Sequence, residues 1–149
     1  MSVTNDQMTV DAKLKTTQFV NVDVSATDPA NKVPLFFDSE HDAYVVGIES
    51  VVTKVGDTNG DPVTVNVGSI ADPDLIGSVV VTDAATPIVG ASVPGTLNSA
   101  TKETVYESHG GVFVPKGTAI YPSYTNSGSN IAERAIALKY FLADETTFD

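Results

Sequence analysis

Three oxygen-bearing side chains at alternate positions, Asp57, Asn59 and Asp61 in GDTNGDP (56–62), have the spacing of the first half of a calcium-binding loop. Such a loop also needs a glycine at its sixth position for the sharp turn and a bidentate carboxylate at its twelfth. Counted from Asp57, those positions hold Pro62 and Gly68. Proline cannot take the positive φ that the glycine supplies, and glycine offers no carboxylate. The same stretch contains Asn59-Gly60, the dipeptide favoured in a two-residue type I′ turn, between Val-rich runs on either side. GDTNGDP therefore reads as the tip of a β-hairpin, with its three polar side chains exposed and empty.

The remaining reactive side chains do not assemble into a site. His41 lies in SEHDA (39–43) and His109 in SHGG (108–111), far apart and without the further ligands at fixed spacing that a zinc site requires. Both read as solvated loop histidines. The sequence has no G-x-S-x-G elbow, since Gly90-Ala91-Ser92 is followed by Val93 and Pro94. Nothing selects one pair among 19 carboxylates for acid–base work, tryptophan as a sugar platform is absent, and no glycine loop suits a phosphate. No catalytic, cofactor-binding or metal residue is assigned, and the chain reads as a non-enzyme. Tyr106, Phe113, Tyr121, Tyr124, Tyr140 and Phe141 gather in the C-terminal third. They read as the bulky pieces of a core otherwise made of Val and Ala.

The elements that would position any such residue are strands. Val and Thr are stiff at χ1 and suit a pleated surface, and 11 Gly and 8 Pro punctuate the chain at short intervals. A chain of 149 residues fits one domain. Short Val/Thr runs between such breaks read as all-β, a sandwich or barrel. A net charge of −11, with 8 basic residues and no basic patch, argues against nucleic acid and against anionic membrane surfaces. No run approaches the roughly 20 apolar residues of a transmembrane helix. MSVTNDQMTVDAKLK lacks the basic and apolar regions of a signal peptide, which points to synthesis in a cytoplasm. With no cysteine there are no disulfides.

Along the chain, Val20, Val22 and Val24 alternate with polar residues, and SATDPANKVP (25–34) follows as a loop. Residues 1–35 read as an arm or peripheral strand and 36–149 as the sandwich. Strands are expected at AYVVGIESVVTKV (43–55), VTVNVG (63–68), SVVVT (78–82), TVYES (104–108), GVFVP (111–115) and KGTAIYPSY (116–124). His109-Gly110 would turn the chain between the fourth and fifth of these. ADPD (71–74) is a turn by its proline and flanking carboxylates. Residues 83–103 read as a long excursion with a brief strand around Ile88. ERAIALKYFLA (133–143), apolar on both faces, reads as an interior strand, with a helix the alternative that propensity alone allows.

The order of these segments resembles a family of β-sandwich virion proteins of tailed bacteriophages. The resemblance covers residues 43–142 and rests on VTVNVGSIADPDLI (63–76), KGTAIYPSYTNSGSN (116–130) and the final ERAIALKYFL strand. It implies that the fold is an all-β, jelly-roll-like antiparallel β-sandwich with an N-terminal arm, used as a capsid decoration (cement) protein on the outside of the phage head, or as part of a fibre or tail. It also implies a homo-oligomer, commonly a trimer, partnered with the major capsid protein or another virion protein. The family shares no catalytic motif, so no site residue carries over. The alternatives are a fibre or tail adhesin domain binding a host-surface glycan, and a metal-dependent hydrolase on the same sandwich.

Overall fold

The computed structural model describes residues 14–23, 33–55, 63–81, 88–106, 109–124 and 133–143. They form ten strands: β1 (Lys15–Thr16), β2 (Val20–Asp23), β3 (Ala43–Lys54), β4 (Val63–Gly68), β5 (Gly77–Val81), β6 (Thr96–Leu97), β7 (Lys102–Tyr106), β8 (His109–Val114), β9 (Tyr121–Ser123) and β10 (Glu133–Leu142). All pairings are antiparallel. The large sheet runs β1-β10-β3-β8-β7, with β2 beside β1 on the same edge of β10, and the small sheet runs β6-β5-β4-β9. An isolated bridge between Phe36 and Ile120 adds one more element beside β9. With Phe36 counted in that place, the core orders are β2-β10-β3-β8 and 36-β9-β4-β5. First beside last and second beside next-to-last is the double Greek key of a jelly roll.

The strands form where the side chains alternate. Val63, Val65 and Val67 of β4 and Val79 and Val81 of β5 are buried, while Thr64 and Val80 are exposed. Facing them from the large sheet are Val45, Ile48, Val112, Ile136 and Leu138. Complete burial of such side chains stabilises by about 1.5–3 kcal/mol each. Strand β3 departs from simple alternation: Val45 and Ile48, three apart, both point inward. A register shift explains this, because Lys139 pairs with Gly47 but Tyr140 pairs with Val45, leaving Val46 as the extra residue of a bulge.

GDTNGDP itself lies outside the described residues, but its flanking strands overturn the hairpin expectation. Strand β3 enters the large sheet and β4 the small one. Both edges of β3 are already taken, by β10 along one side and by β8 and residues 90–95 along the other. The connection is a crossing between sheets. Two smaller expectations also change. His109 and Gly110 belong to β8, paired with Tyr106 and Thr104, so the chain reverses before them. The excursion has its brief strand at Thr96–Leu97 rather than around Ile88, which is 78% exposed.

That excursion joins the two sheets. Gly90, Val93 and Gly95 donate backbone hydrogen bonds to Val52, Ser50 and Ile48, continuing the line of β8 along β3. One residue later, Thr96 and Leu97 pair with β5 of the other sheet. At the crossing a Cβ on Gly95 would lie 2.8 Å from both the Ile48 side chain and the Ser78 carbonyl, so only glycine fits. The buried Ser50 hydroxyl donates to the Val93 carbonyl and fixes the strap from inside.

Residues 15–23 run along the outer edge of β10, tied between β1 and β2 by the Thr17 amide to the Leu138 carbonyl (2.9 Å) and the Leu138 amide to Thr17 Oγ1 (2.9 Å). Val22 is fully buried, and Leu35 and Phe36 also join the core. Arg134 is the polar exception on the inner face of β10. It is 1% exposed, donates to the neighbouring Glu133 carbonyl, and its Nε has no partner among the described residues. Burial holds its pKa below the usual guanidinium value.

Leu138→Ala, at the centre of β10, is expected to cost about 2–5 kcal/mol by urea unfolding. Leu14→Ala, at a 43% exposed position beside β1, is expected to change stability by about 0.5 kcal/mol or less.

Candidate functional site

Two segments singled out in the sequence meet in space. Residues 69–75, carrying ADPD, and residues 113–121 form the walls of an open groove of about 700 Å³, with Ile70, Leu75, Phe113, Pro115 and Tyr121 among its lining. Ile70 is 77% exposed, and Phe37, next to the Phe36–Ile120 bridge, is also exposed. Exposed apolar side chains gathered around a concavity are the usual sign of a binding surface.

The first wall is a fold-back over Gly68. A Cβ there would lie 2.3 Å from the Asp72 carbonyl oxygen and 2.4 Å from that of Pro73, so the turn can close only over a glycine. The turn is fastened by the Ser69 and Leu75 amides to the Asp72 carbonyl (3.0 Å each) and the Asp72 amide to Ser69 Oγ (3.0 Å). From outside, Asn98 Nδ2 donates to the Asp74 carbonyl (2.9 Å) and Thr101 Oγ1 to the Leu75 carbonyl (2.6 Å). The VG…ADPD pattern is thus a backbone requirement. The second wall turns at Gly117, which has a left-handed φ of 82°. Its amide donates to the Asp38 carbonyl (2.7 Å), and the Lys116 amide donates to Asp42 Oδ1 (2.8 Å).

These attachments place carboxylates on both sides of the groove: Asp72 and Asp74 on one wall, Asp38 and Asp42 behind the other, against Lys116. The Asp74 side chain, hydrogen-bonded to Asp72, raises the Asp72 pKa above the ordinary carboxylate value, aided by desolvation and charge repulsion. Asp38 shifts the other way. The Glu40 amide (2.8 Å) lowers its pKa most; desolvation opposes this, and the His41 amide (2.9 Å) and ring add to the lowering. His41 Nδ1 lies 3.2 Å from both Asp38 oxygens, so this histidine caps its own loop.

Beside the groove, the outer face of the large sheet carries an aromatic row in register, Phe141–Tyr44–Phe113. The Tyr44 ring lies 5.3 Å from Phe113 and 6.2 Å from Phe141. Burial pushes the Tyr44 phenol up, and Glu103 and Asp42 add to the shift. Of the six C-terminal aromatics, Tyr124 and Phe141 are buried and Tyr140 packs edge-on against Phe36 at 4.8 Å. Phe113 departs from the core expectation: it is 37% exposed at the groove rim, because β8 turns it to the outer face opposite Tyr44. The side chains of Tyr106 and His109 lie outside the described residues. Sequence reasoning missed Phe36, Phe37 and Tyr44. The apolar run Leu35-Phe36-Phe37 between Pro34 and Asp38 was the available signal.

Among the described residues, no group of three or more His, Cys, Asp or Glu could hold a metal ion. The groove holds no histidine or serine–histidine pair; its chemistry is apolar contact edged by negative charge. No helix among the described residues is long and apolar enough to cross a membrane. No protein-family model and no curated protein matches the chain. Among solved structures, a chain of the cyanophage Pam1 capsid asymmetric unit aligns over 87% of this chain and 84% of its own, at 21% identity and a TM-score of 0.49.

The two pKa shifts have opposite linkage. Asp38, with its folded value lowered, contributes stability above about pH 3.9 that is lost as pH falls through the depressed value. Asp72, with its value raised, contributes below about pH 3.9 and loses that contribution as pH rises through the raised value. Asp74→Asn replaces the repelling carboxylate by an amide donor. The Asp72 titration midpoint, followed by carboxyl NMR, is expected to move down in that variant while Asp38 stays unchanged. Gly68→Ala forces a Cβ against two carbonyls and is expected to cost about 1–3 kcal/mol, read as a lowered urea midpoint.

Proposed function

We propose that this chain is a structural protein of a tailed-phage particle, a decoration protein that sits on the outside of the head and stabilises the shell. One observation carries the reading: the two segments whose order resembles phage virion proteins, 63–76 and 116–130, contribute residues 69–75 and 117–121 to opposite walls of the exposed apolar groove. The resembling motifs thus coincide with a docking surface rather than with scattered turns.

Docking is passive in this reading. The groove takes an exposed segment of a shell protein, an apolar side chain against Ile70 and Phe113 with basic side chains toward Asp38, Asp42, Asp72 and Asp74. Charge complementarity selects that partner, since the rim is negative and the whole chain carries −11. Attachment to the assembled shell and not to its dissociated subunits shifts the equilibrium toward the shell by mass action. The subunit would be made in the host cytoplasm, work in the virion, and act as a homo-oligomer, a trimer by the resemblance.

A shallow aromatic and carboxylate-lined groove in residues 83–103 would support the glycan-binding alternative. That stretch contains no aromatic residue, and its described part straps the two sheets together.

The test uses purified full-length protein and heads of the phage that carries its gene, stripped of it. Co-sedimentation is expected to recover binding that weakens with added salt. Ile70→Lys is expected to lower the affinity at least about tenfold (roughly 1.4 kcal/mol) with an unchanged thermal midpoint. Absence of the protein from purified particles, or full binding by Ile70→Lys, would overturn the reading.

A further inference from the structure

The small sheet has an outer face unlike the rest of the molecule. Inward residues of its strands are core, so the outward ones, apart from Tyr121 at the groove, are Thr64 and Asn66 of β4, Ser78 and Val80 of β5, Thr96 of β6 and Ser123 of β9. The pairing register sets Thr96, Ser78, Asn66 and Ser123 side by side in one row across all four strands. Val80, 51% exposed, stands opposite Thr64 in the next row. Not one of the six is ionisable, in a chain with 27 charged residues, 19 acidic and 8 basic. Among the described residues their hydroxyl and amide groups have no hydrogen-bond partner inside the protein. The outer face of the large sheet, by contrast, carries Glu49, Lys139 and Glu133, with Lys139 paired to Glu49 at 2.9 Å.

We infer that this neutral, hydroxyl-bearing face is where one copy of the chain meets another. Charge decides the occupant. Two copies at −11 each repel wherever carboxylates come together. A surface without ionisable groups lets them approach with the least repulsion and no charge-desolvation penalty, while Ser, Thr and Asn exchange water for mutual hydrogen bonds around Val80. A basic partner would gain nothing from this face, since the negative charge that attracts it lies elsewhere. Four strands spaced about 4.8 Å apart present only a few hundred Å², below the roughly 800 Å² per partner of a standard stable interface. The contact is therefore weak and concentration-dependent. It does not rest on the capsid reading and is measured on the isolated protein.

Sedimentation velocity of the full chain over a concentration series, at low and high salt, tests it. The weight-average mass is expected to rise above the 15.6 kDa monomer with concentration, and more strongly at high salt, where repulsion is screened. This is the opposite salt sign to groove docking, so failure of one reading is distinguishable from failure of the other. Ser78→Glu and Ser78→Lys are both expected to weaken association at least about tenfold, because either charge must be desolvated at the contact. Lys102→Glu, on exposed β7, adds more negative charge overall than Ser78→Glu and is expected to act less. Far-ultraviolet circular dichroism and the thermal midpoint establish that each variant is folded. A protein monomeric at millimolar concentration in high salt would overturn the inference. Strengthening by Ser78→Lys would also overturn it, since the response would then follow net charge alone.

Discussion

The antiparallel pairing of β10 with β3 is the constraint on which the other elements depend. It runs through ten residue pairs and places Ile136 and Leu138 against the same interior as Val45, Ile48 and Val52. Residues 15–23 lie on the free edge of β10, β8 and residues 90–95 on the free edge of β3, and β7 is added through β8. The bulge at Val46 keeps both halves of β3 facing the core, since without it the upper half would turn its valines to solvent. Because both edges of β3 are filled, β4 must leave for a second sheet, and the sandwich follows from that exclusion.

Two close approaches then fix how the layers meet the surface. Gly95 lets the strap pass between Ile48 and the Ser78 carbonyl, and Gly68 lets the ADPD turn fold back onto the end of β4. The second produces the groove: with the turn held down by Asn98 and Thr101, its apolar residue Ile70 is left outside, facing Phe113 and Pro115 across the gap. The acidic rim arises from the same attachments, because Asp38 and Asp42 use backbone and side-chain oxygens to hold the opposite turn. Shape and charge at this end are both consequences of turn chemistry.

The fold class was legible because alternation leaves a mark in β4 and β5, where Val at every second position states which face is inward. Strand β10 was legible as interior because its apolar residues occupy both faces. The path of the chain between sheets was less so. An Asn-Gly between two Val-rich runs suits a hairpin locally, and only competition for the edges of β3 shows that the runs belong to different sheets. Phe36 escaped notice for a related reason: it makes a single bridge, with no run of alternation to announce it. For the candidate site, the sequence offered ADPD as a turn and KGTAIYPSY as a strand following Lys116-Gly117. Nothing in their spacing indicated that they would face each other.

By itself, the sequence determined the β class, the acidic character, the lack of disulfides and the turn at ADPD, because each depends on residue type or on neighbours a few positions away. Only the tertiary structure decided which strands pair, that Phe113 faces outward while Phe141 is covered, that Arg134 lies inside, and that the uncharged residues of four separate strands align in one row. Those outcomes depend on register between segments far apart in the chain. A strand's alternation specifies two faces, but its partner strands determine what each face meets.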